Sequence, residues 1–297
     1  MKLDTKTVGL ALAHDSAALH AQGAAVYIDD MLEPDGTLHV EPGCSPKGAC
    51  GKITGLNLDS VRAFEGVVSV LTAKDIPGVN DCSPALGDDP IFAEGEIAFH
   101  GQVVFAVVAE TRDIARRAAR LARIDVETKP PAVTVEDALS FKTRDVVSEY
   151  AFDNGDLQKA LKTSNQVISE SFHVGGQEHF YIEGQVALAV PEEKGGMTVY
   201  ASTQHPTEVQ HCVAKMLNVP DAMVTCECRR VGGGFGGKES QAAQWAALAA
   251  LAAHVTGRPA KCRLDRDQDM MMTGKRHDVR IDYRVGFDRS ARVTAVD

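Results

Sequence analysis

A run of five glycines around one phenylalanine, VGGGFGGKE at residues 231–239, has the composition of a ligand-binding loop. Consecutive glycines let the backbone approach a ligand closely and leave amide donors uncovered by side chains. The P-loop pattern fits at Gly232, Gly237 and Lys238, and the dinucleotide-binding pattern fits at Gly232, Gly234 and Gly237. Because one loop cannot bind both ligands in these ways, the other side chains of the loop must show which pattern, if either, applies.

Those side chains argue against both nucleotide patterns. A P-loop needs a serine or threonine after its lysine, whereas Glu239 stands there and would repel a triphosphate. Asp265 gives some support to a dinucleotide-binding fold, because it ends the next predicted strand, where such folds place an acidic residue that binds the ribose. The strand before the loop, however, carries Glu227, Arg229 and Arg230, and a central parallel strand is usually apolar. A Rossmann-like NAD-binding domain therefore remains only a less favoured alternative.

A third interpretation takes the loop residues as they stand. Uncovered amides near a helix N-terminus suit a polar cofactor with terminal oxo groups. A carboxylate in the first turn of the following helix, at Glu239, could then accept a hydrogen bond from a bound substrate. Alternatively, Glu239 only stabilises the helix dipole, an effect of roughly 0.3–1 kcal/mol. The residues alone leave both roles open.

The elements around the loop are predicted from periodicity. A strand at 223–231 leads into it, and an alanine-rich helix follows from about Glu239 to His254. This helix is apolar around most of its circumference, which predicts burial on all sides. In an isolated chain we expect part of that surface to be exposed and prone to association. A helix is predicted at 205–218, and the strands within 167–176, 179–192 and 197–204 are expected to be antiparallel neighbours.

The first half of the chain shows a different pattern. Short strands are predicted at 23–30, 67–73 and 102–110, followed by a helix that Thr111 caps. The segment 33–55 is rich in Gly and Pro and is predicted to be a loop. Pro130 and Pro131 interrupt the pattern, so we place a domain boundary shortly after them. The predicted domains are residues 1–137 and 138–297, in a mixed α+β class.

Composition excludes several function classes. A net charge of −10 argues against a nucleic-acid-binding protein, and no segment approaches the about 20 apolar residues of a membrane span. The 7 cysteines form no C-x-x-C pair, which is typical of reduced thiols in the cytoplasm. Cys226 and Cys228 could share one face of a strand, but no further metal ligands lie near them in the sequence.

Several long motifs occur together in a fixed order. They are VGGGFGGKES, GGQEHFYIEGQ, ASTQHPTEVQHCVAKMLNVP and CRLDRDQDMMMTGKRH. Together they resemble the molybdenum-binding large subunit of bacterial xanthine dehydrogenases, in the xanthine dehydrogenase and aldehyde oxidase family. The first half resembles the hammerhead-like domain that opens this subunit. The resemblance implies an α+β fold, with a hammerhead-like α/β domain followed by the first part of a molybdopterin-binding domain.

The same resemblance implies roles for four residues. Gln204 matches the glutamine whose amide donates to an oxo ligand of molybdenum, and Phe235 and Gly236 match residues whose backbone amides approach the pterin-bound metal. Glu239 matches the glutamate that binds the purine and stabilises charge during catalysis. Aldehyde-oxidising relatives are typically apolar at that position, so Glu239 favours a purine. The cluster at 177–179 matches a structural marker beside the cofactor domain.

The implied reaction is oxidation of hypoxanthine and xanthine to urate. Electrons would pass through iron–sulfur clusters and FAD, expected on a small partner subunit, to NAD. An aldehyde or other N-heterocycle hydroxylase of the same family and a non-catalytic fragment are the alternatives. The family's large subunit continues well beyond the position of Asp297 and carries its general base there. We therefore expect this chain to be an N-terminal piece that is inactive alone.

Overall fold

The computed structural model describes residues 9–141 and 150–297, which form a mixed structure of helices and strands. The helices are α1 (Ala17–Ala21), α2 (Asp59–Arg62), α3 (Arg112–Ala119), α4 (Val135–Phe141), α5 (Leu157–Thr163), α6 (Pro206–Leu217), α7 (Ala242–Thr256) and α8 (Arg266–Met272). The strands are β1 (Leu38–Cys44), β2 (Gly51–Asn57), β3 (Val67–Leu71), β4 (Glu96–Ile97), β5 (Val103–Ala109), β6 (Arg123–Thr128), β7 (Gln166–Val174), β8 (Val186–Pro191), β9 (Met197–Ala201), β10 (Val224–Glu227), β11 (Ala260–Arg263), β12 (Val279–Phe287) and β13 (Val293–Val296).

A seven-stranded sheet joins the two halves of the chain, in the order β10-β9-β8-β11-β1-β5-β3. Its central link is the parallel pairing of β1 with β11, which sets Leu38 opposite Ala260. Smaller sheets form on either side of the chain's midpoint, β4-β2-β6 before it and β13-β12-β7 after it. Both halves of the chain therefore contribute strands to one sheet. The domain boundary at residue 137 stays a prediction.

The alanine-rich helix α7 is the centre of the main core. Every residue from Ala242 to Ala253 is buried, between the sheet and α6. The prediction of burial on all sides is confirmed. The expectation that part of the helix is exposed in this chain is wrong, because β8, β9, β11 and α6 cover it within the same 297 residues. Small alanine side chains let these elements approach the helix closely.

Three predictions about strands in the sequence are wrong. Residues 23–30 form turns, in which the carboxylate of Asp30 accepts a hydrogen bond from Tyr27 N at 3.2 Å. The predicted loop at 33–55 contains β1 and the first five residues of β2. Pro42 is tolerated in β1 because β11 pairs only with Leu38–Val40. Beyond Val40, β1 therefore needs no backbone N–H to donate to β11, and the missing N–H of Pro42 costs no hydrogen bond there. Finally, β7 pairs with β12 rather than with β8.

Other predicted elements are confirmed within a few residues. The strands β3, β5 and β9 and the helix α6 form where the pattern places them. Thr111 caps α3, and its hydroxyl oxygen accepts a hydrogen bond from Ile114 N at 3.2 Å. Among residues 9–141 and 150–297, every helix is too short or too polar to cross a lipid bilayer.

Candidate functional site

The glycine loop lies at one edge of the large sheet. It runs from the end of β10 at Glu227 to the start of α7 at Ala242. Strand β9 runs parallel to β10 and ends at Ala201, so the segment that contains Gln204 leaves the sheet at the same edge. The carboxyl ends of neighbouring parallel strands are a common place for a ligand site.

Gln204 is tied to the glycine loop by its backbone and its side chain. Its Oε1 accepts hydrogen bonds from Gly236 N at 3.1 Å and from Lys238 N at 3.3 Å, while its backbone N–H donates to Lys238 O at 2.9 Å. Gly234 lies so close that a Cβ there would sit 2.3 Å from Oε1. Because the oxygen is occupied on the protein side, the amide nitrogen is left to donate to a ligand.

Phe235 stands at the tip of the loop in an unusual backbone conformation. Its φ is +55°, in the left-handed region, and the residue is 75% exposed. In the part of the chain that the structure describes, the amides of Gly234 and Phe235 donate to no protein acceptor. Strained residues of this kind gather at ligand sites, and of the two residues Phe235 is exposed whereas Gly234 is buried.

Glu239 is exposed, and no hydrogen bond or ion pair to its carboxylate occurs among the described residues. The prediction that it lies in the first turn of the following helix is wrong, because the loop continues through Gln241 before α7 begins. The first turn of α7 contains no acidic residue. Since the helix dipole acts mainly within that turn, capping explains little of the role of Glu239.

Lys238 points into the protein, away from the ligand side of the loop. It is fully buried, and its Nζ donates to Glu183 O and to Ser202 Oγ, each at 2.7 Å. The ammonium also lies 4.5 Å from the centre of the Tyr181 ring. Burial lowers the pKa of Lys238 to about 8, and the nearby Glu183 carboxylate opposes that shift. An inward lysine cannot reach a phosphate, in agreement with the rejection of the P-loop pattern.

A second buried group supports the loop from α8. The carboxylate of Asp269 accepts hydrogen bonds from Tyr181 Oη at 2.6 Å and from Gln185 N at 2.9 Å. The side-chain amide of Gln185 donates to Gly237 O at 3.0 Å. Burial and the adjacent Asp269 both raise the pKa of Tyr181, so this phenol stays a proton donor. A Cβ on Gly237 would lie 2.7 Å from the His179 ring, so the loop rests directly on this layer.

Glu183 connects this support to the first half of the chain. Its Oε2 accepts hydrogen bonds from Ser202 Oγ at 2.7 Å and from Gly232 N at 2.8 Å, and its Oε1 accepts one from Asp29 N at 3.2 Å. Asp29 in turn pairs with Arg263 at 2.6 Å. The start of the glycine loop is therefore fixed against an N-terminal segment.

Two clefts flank the loop, and Phe235 lines both. One has a volume of about 630 Å³, with Tyr27, Phe180 and Ile182 among its walls. The other has a volume of about 360 Å³ and contains Glu178 and His179.

The structure brings together the four residues that the sequence singled out. Gln204 and Gly236 are hydrogen-bonded, and Phe235 and Glu239 lie in the same loop. Sequence reasoning missed the support beneath them. The motifs relate Lys238 only to a phosphate or pyrophosphate and single out none of the other supporting residues, which are Tyr181, Glu183, Gln185, Ser202 and Asp269. Charged residues inside otherwise small or apolar motifs, as in YIEGQ and GGKES, are the signal that could have found them.

The loop fits a polar cofactor with oxo groups. Among the described residues, the exposed Phe235 has a backbone amide, and the exposed Gln204 a side-chain amide nitrogen, with no protein acceptor. The glycines keep the loop clear of further side chains. Both donors favour electronegative oxygen or sulfur atoms, as a molybdenum centre on a pterin would present.

Two family models match the chain. "Aldehyde oxidase and xanthine dehydrogenase, a/b hammerhead domain" matches residues 22–130, and "Molybdopterin cofactor-binding domain" matches residues 141–297. The second match contains the whole glycine loop and Gln204. The predicted fold class, a mixed structure with a hammerhead-like domain and a molybdopterin-binding domain, is confirmed.

Curated relatives include two enzymes from Rattus norvegicus. Xanthine dehydrogenase/oxidase is 40% identical over 291 residues, and aldehyde oxidase 2 is 40% identical over 292 residues. Each alignment covers 98% of this chain, but only 22% and 21% of the respective relatives. The chain thus spans about a fifth of the length of the curated relatives it matches.

Solved structures show the same fold at lower identity. The aldehyde oxidoreductase of Desulfovibrio desulfuricans has a TM-score of 0.83 at 24% identity, covering 95% of this chain and 33% of that one. The quinoline 2-oxidoreductase of Pseudomonas putida has a TM-score of 0.82 at 24% identity, covering 96% and 38%.

Proposed function

Because the chain belongs to the family of xanthine dehydrogenases and aldehyde oxidases and contains its molybdopterin-binding domain, we propose that it forms one wall of a molybdenum hydroxylase site. In this proposal the side-chain amide nitrogen of Gln204 and the backbone amide of Phe235 hold the metal end of the cofactor. Gly236 contributes through Gln204, because its N–H is bound to Gln204 Oε1 and cannot also reach the cofactor. The bound cofactor supplies two-electron oxidation of a substrate carbon together with its hydroxylation. The chain's own residues bind, orient and exclude water around it.

We propose a purine as the substrate, with xanthine or hypoxanthine oxidised towards urate. The observation that carries this proposal is the exposed carboxylate of Glu239 at the end of the glycine loop, which has no partner among the described residues. Purine rings present N–H donors that a carboxylate can accept, and they develop charge that hydrogen bonds can stabilise. An aldehyde presents an acceptor oxygen, which a carboxylate would repel.

Oxidation of an aldehyde or another N-heterocycle is the second candidate. Aldehyde oxidase 2 of Rattus norvegicus is as similar in sequence as the xanthine dehydrogenase/oxidase of the same animal, 40% in each case. The largely apolar cleft beside Phe180 and Ile182 is compatible with such a substrate. A non-catalytic assembly role is the third candidate, and a chain that binds no cofactor would favour it.

The remaining parts of the proposed enzyme lie outside this chain. The proposal places iron–sulfur clusters and FAD on a partner, NAD as the electron acceptor, and the general base in a further part of the large subunit. Accordingly, we expect the 297-residue chain alone to be inactive. We also propose a cytoplasmic location, which the free state of all seven cysteines supports.

Substrate profiling of the complete enzyme tests this proposal. Activity on hypoxanthine and xanthine, with little on benzaldehyde or other aldehydes, is the expected result. Activity on aldehydes without activity on purines would favour the second candidate.

A further inference from the structure

One residue of the glycine loop contacts three consecutive residues after β9. The backbone of Lys238 accepts hydrogen bonds from Gln204 N at 2.9 Å and Thr203 Oγ1 at 3.1 Å. Its own N–H donates to Gln204 Oε1 at 3.3 Å, and its Nζ donates to Ser202 Oγ at 2.7 Å. The orientation of Gln204 therefore depends on where Lys238 is held.

The side chain of Lys238 is held from several directions inside the protein. Besides Ser202, its ammonium donates to Glu183 O at 2.7 Å, lies 3.8 Å from Glu183 Oε2 and faces the Tyr181 ring at 4.5 Å. None of these contacts is accessible to water, since the Lys238 side chain is 0% exposed. Burying a cation is costly unless it is paired and hydrogen-bonded. A protein that needed only packing here would be served by an apolar residue.

We infer that Lys238 is a positioning residue for the cofactor site. By fixing the loop, it keeps Gln204 Oε1 hydrogen-bonded to the amides of Gly236 and Lys238, so that the side-chain nitrogen of Gln204 faces the ligand. The inference rests on the proposed function, that the loop binds the cofactor. In this arrangement the buried ammonium holds the backbone of residue 238 against 202–204. Loss of the ammonium frees that backbone, and Gln204 loses its fixed orientation.

Hydrogen exchange over residues 232–239 tests the inference in the complete protein after removal of the cofactor. The variant Lys238→Met keeps the length and the apolar part of the side chain and removes its donors. Lys215→Met is the control, because Lys215 also donates to a buried carboxylate, that of Asp81 at 2.7 Å, and neither residue contacts the glycine loop or its supporting residues. We expect exchange over 232–239 to rise about tenfold in Lys238→Met, the effect of losing one stabilising hydrogen bond, and to stay near the wild-type rate in Lys215→Met.

Global stability is measured on the same samples by denaturant unfolding, because a merely structural lysine would raise exchange throughout the fold. Equal exchange over 232–239 in the two variants overturns the inference. Should Lys238→Met not fold, Ser202→Ala removes one acceptor and keeps the lysine. Because Ser202→Ala removes only one acceptor of the ammonium, we then expect exchange over 232–239 to be about threefold faster than in wild type. An unchanged rate overturns the inference.

The molybdenum content of the untreated proteins distinguishes failure of the proposed function from failure of the positioning role of Lys238. Wild-type protein without molybdenum overturns the inference together with the proposed function. Wild-type protein with molybdenum, beside a Lys238→Met variant that keeps both its molybdenum and its loop protection, overturns the inference alone.

Discussion

The ammonium of Lys238 and the carboxylate of Glu183 lie 3.8 Å apart beneath the glycine loop, with side chains 0% and 6% exposed. The Glu183 oxygens also accept hydrogen bonds from Ser202, Gly232 and Asp29. This pair therefore links the loop, the segment after β9 and the N-terminal half. Several consequences can be measured.

Replacing Glu183 with Gln should destabilise the protein strongly at neutral pH. The change leaves Lys238 without its counterion, and breaking a buried ion pair in this way costs about 3–5 kcal/mol. Because the Glu183 carboxylate supports the charged lysine, its loss lowers the pKa of Lys238 below its value of about 8. Between that pKa and the ordinary lysine value, the unfolded state binds more protons, so stability rises with pH.

Denaturant unfolding at pH 7 and pH 9.5 measures this effect. The cost of Glu183→Gln should be clearly smaller at pH 9.5, where the lysine can be neutral in both proteins. An equal cost at both pH values would show that the charge of Lys238 has little part in it.

Gly234→Ala should displace Gln204 and weaken cofactor binding. The added methyl group would lie 2.3 Å from Gln204 Oε1, too close for any real contact, so the glutamine must move. Gly175→Ala is the control, because a methyl group there meets no atom within 4 Å. We expect molybdenum content to fall at least about tenfold in Gly234→Ala, for a loss of one hydrogen bond or more, and to be unchanged in Gly175→Ala. Retention of molybdenum in both variants would contradict this role of Gln204.

Glu239→Ala should reduce turnover without reducing stability. The carboxylate is exposed and precedes the helix by several residues, so melting temperature should hardly change. Loss of one electrostatic contact to the reacting substrate costs roughly 10²–10³ in rate. Purine turnover and melting temperature of the complete enzyme are measured together, with Glu65→Ala, an exposed turn residue, as control. Unchanged turnover would refute substrate binding by Glu239.

Glu41→Gln should stabilise the protein at alkaline pH. Burial raises the pKa of Glu41 to about 7, although Gln268 and Arg116 favour its charged form. The folded state thus binds more protons than the unfolded state between about pH 4.5 and 7, and wild-type stability falls as pH rises through that range. We expect a gain of about 1–3 kcal/mol for Glu41→Gln at pH 8, from the size of the shift, and almost none at pH 4.

The exposed Glu110 provides the contrasting case. Its hydrogen bonds with Arg258 lower its pKa, so Glu110→Gln should be neutral or slightly destabilising at pH 8. A Glu41→Gln variant that is no more stable than wild type at pH 8 would contradict the buried-carboxylate explanation.

The site and the fold differ in how far the sequence alone predicts them. Local patterns gave the loop, α6 and α7, because glycine runs and apolar periodicity act over a few residues. The parallel pairing of Leu38 with Ala260 joins segments far apart in the chain, and no local pattern encodes it. The Pro and Gly content of β1 concealed a central strand, since Pro42 is harmful only where its missing N–H is needed.

The direction of a side chain was equally hidden from the sequence. Lys238 fits a phosphate-binding motif by type and spacing, yet the fold turns it inward to Glu183 and Ser202. That outcome depends on tertiary neighbours from the segment after β9 and from the segment before β8. The roles of Gln204 and Gly236, by contrast, came from the resemblance of their motifs and stay predictions. Their hydrogen bond shows that the Gly236 amide is used within the protein rather than left for a cofactor.

Molybdenum and pterin analysis of the native protein, purified with the chains that accompany it, tests whether Gln204 holds the cofactor when wild type is compared with Gln204→Glu. A glutamate keeps the oxygen that binds Gly236 N and Lys238 N but replaces the amide donor with a negative oxygen. We expect equimolar molybdenum and pterin in the wild type and a loss of about tenfold or more in the variant, because one charge-assisted contact becomes repulsive. Wild-type protein that is active without molybdenum, or a Gln204→Glu variant that keeps its full molybdenum content, would contradict the proposal.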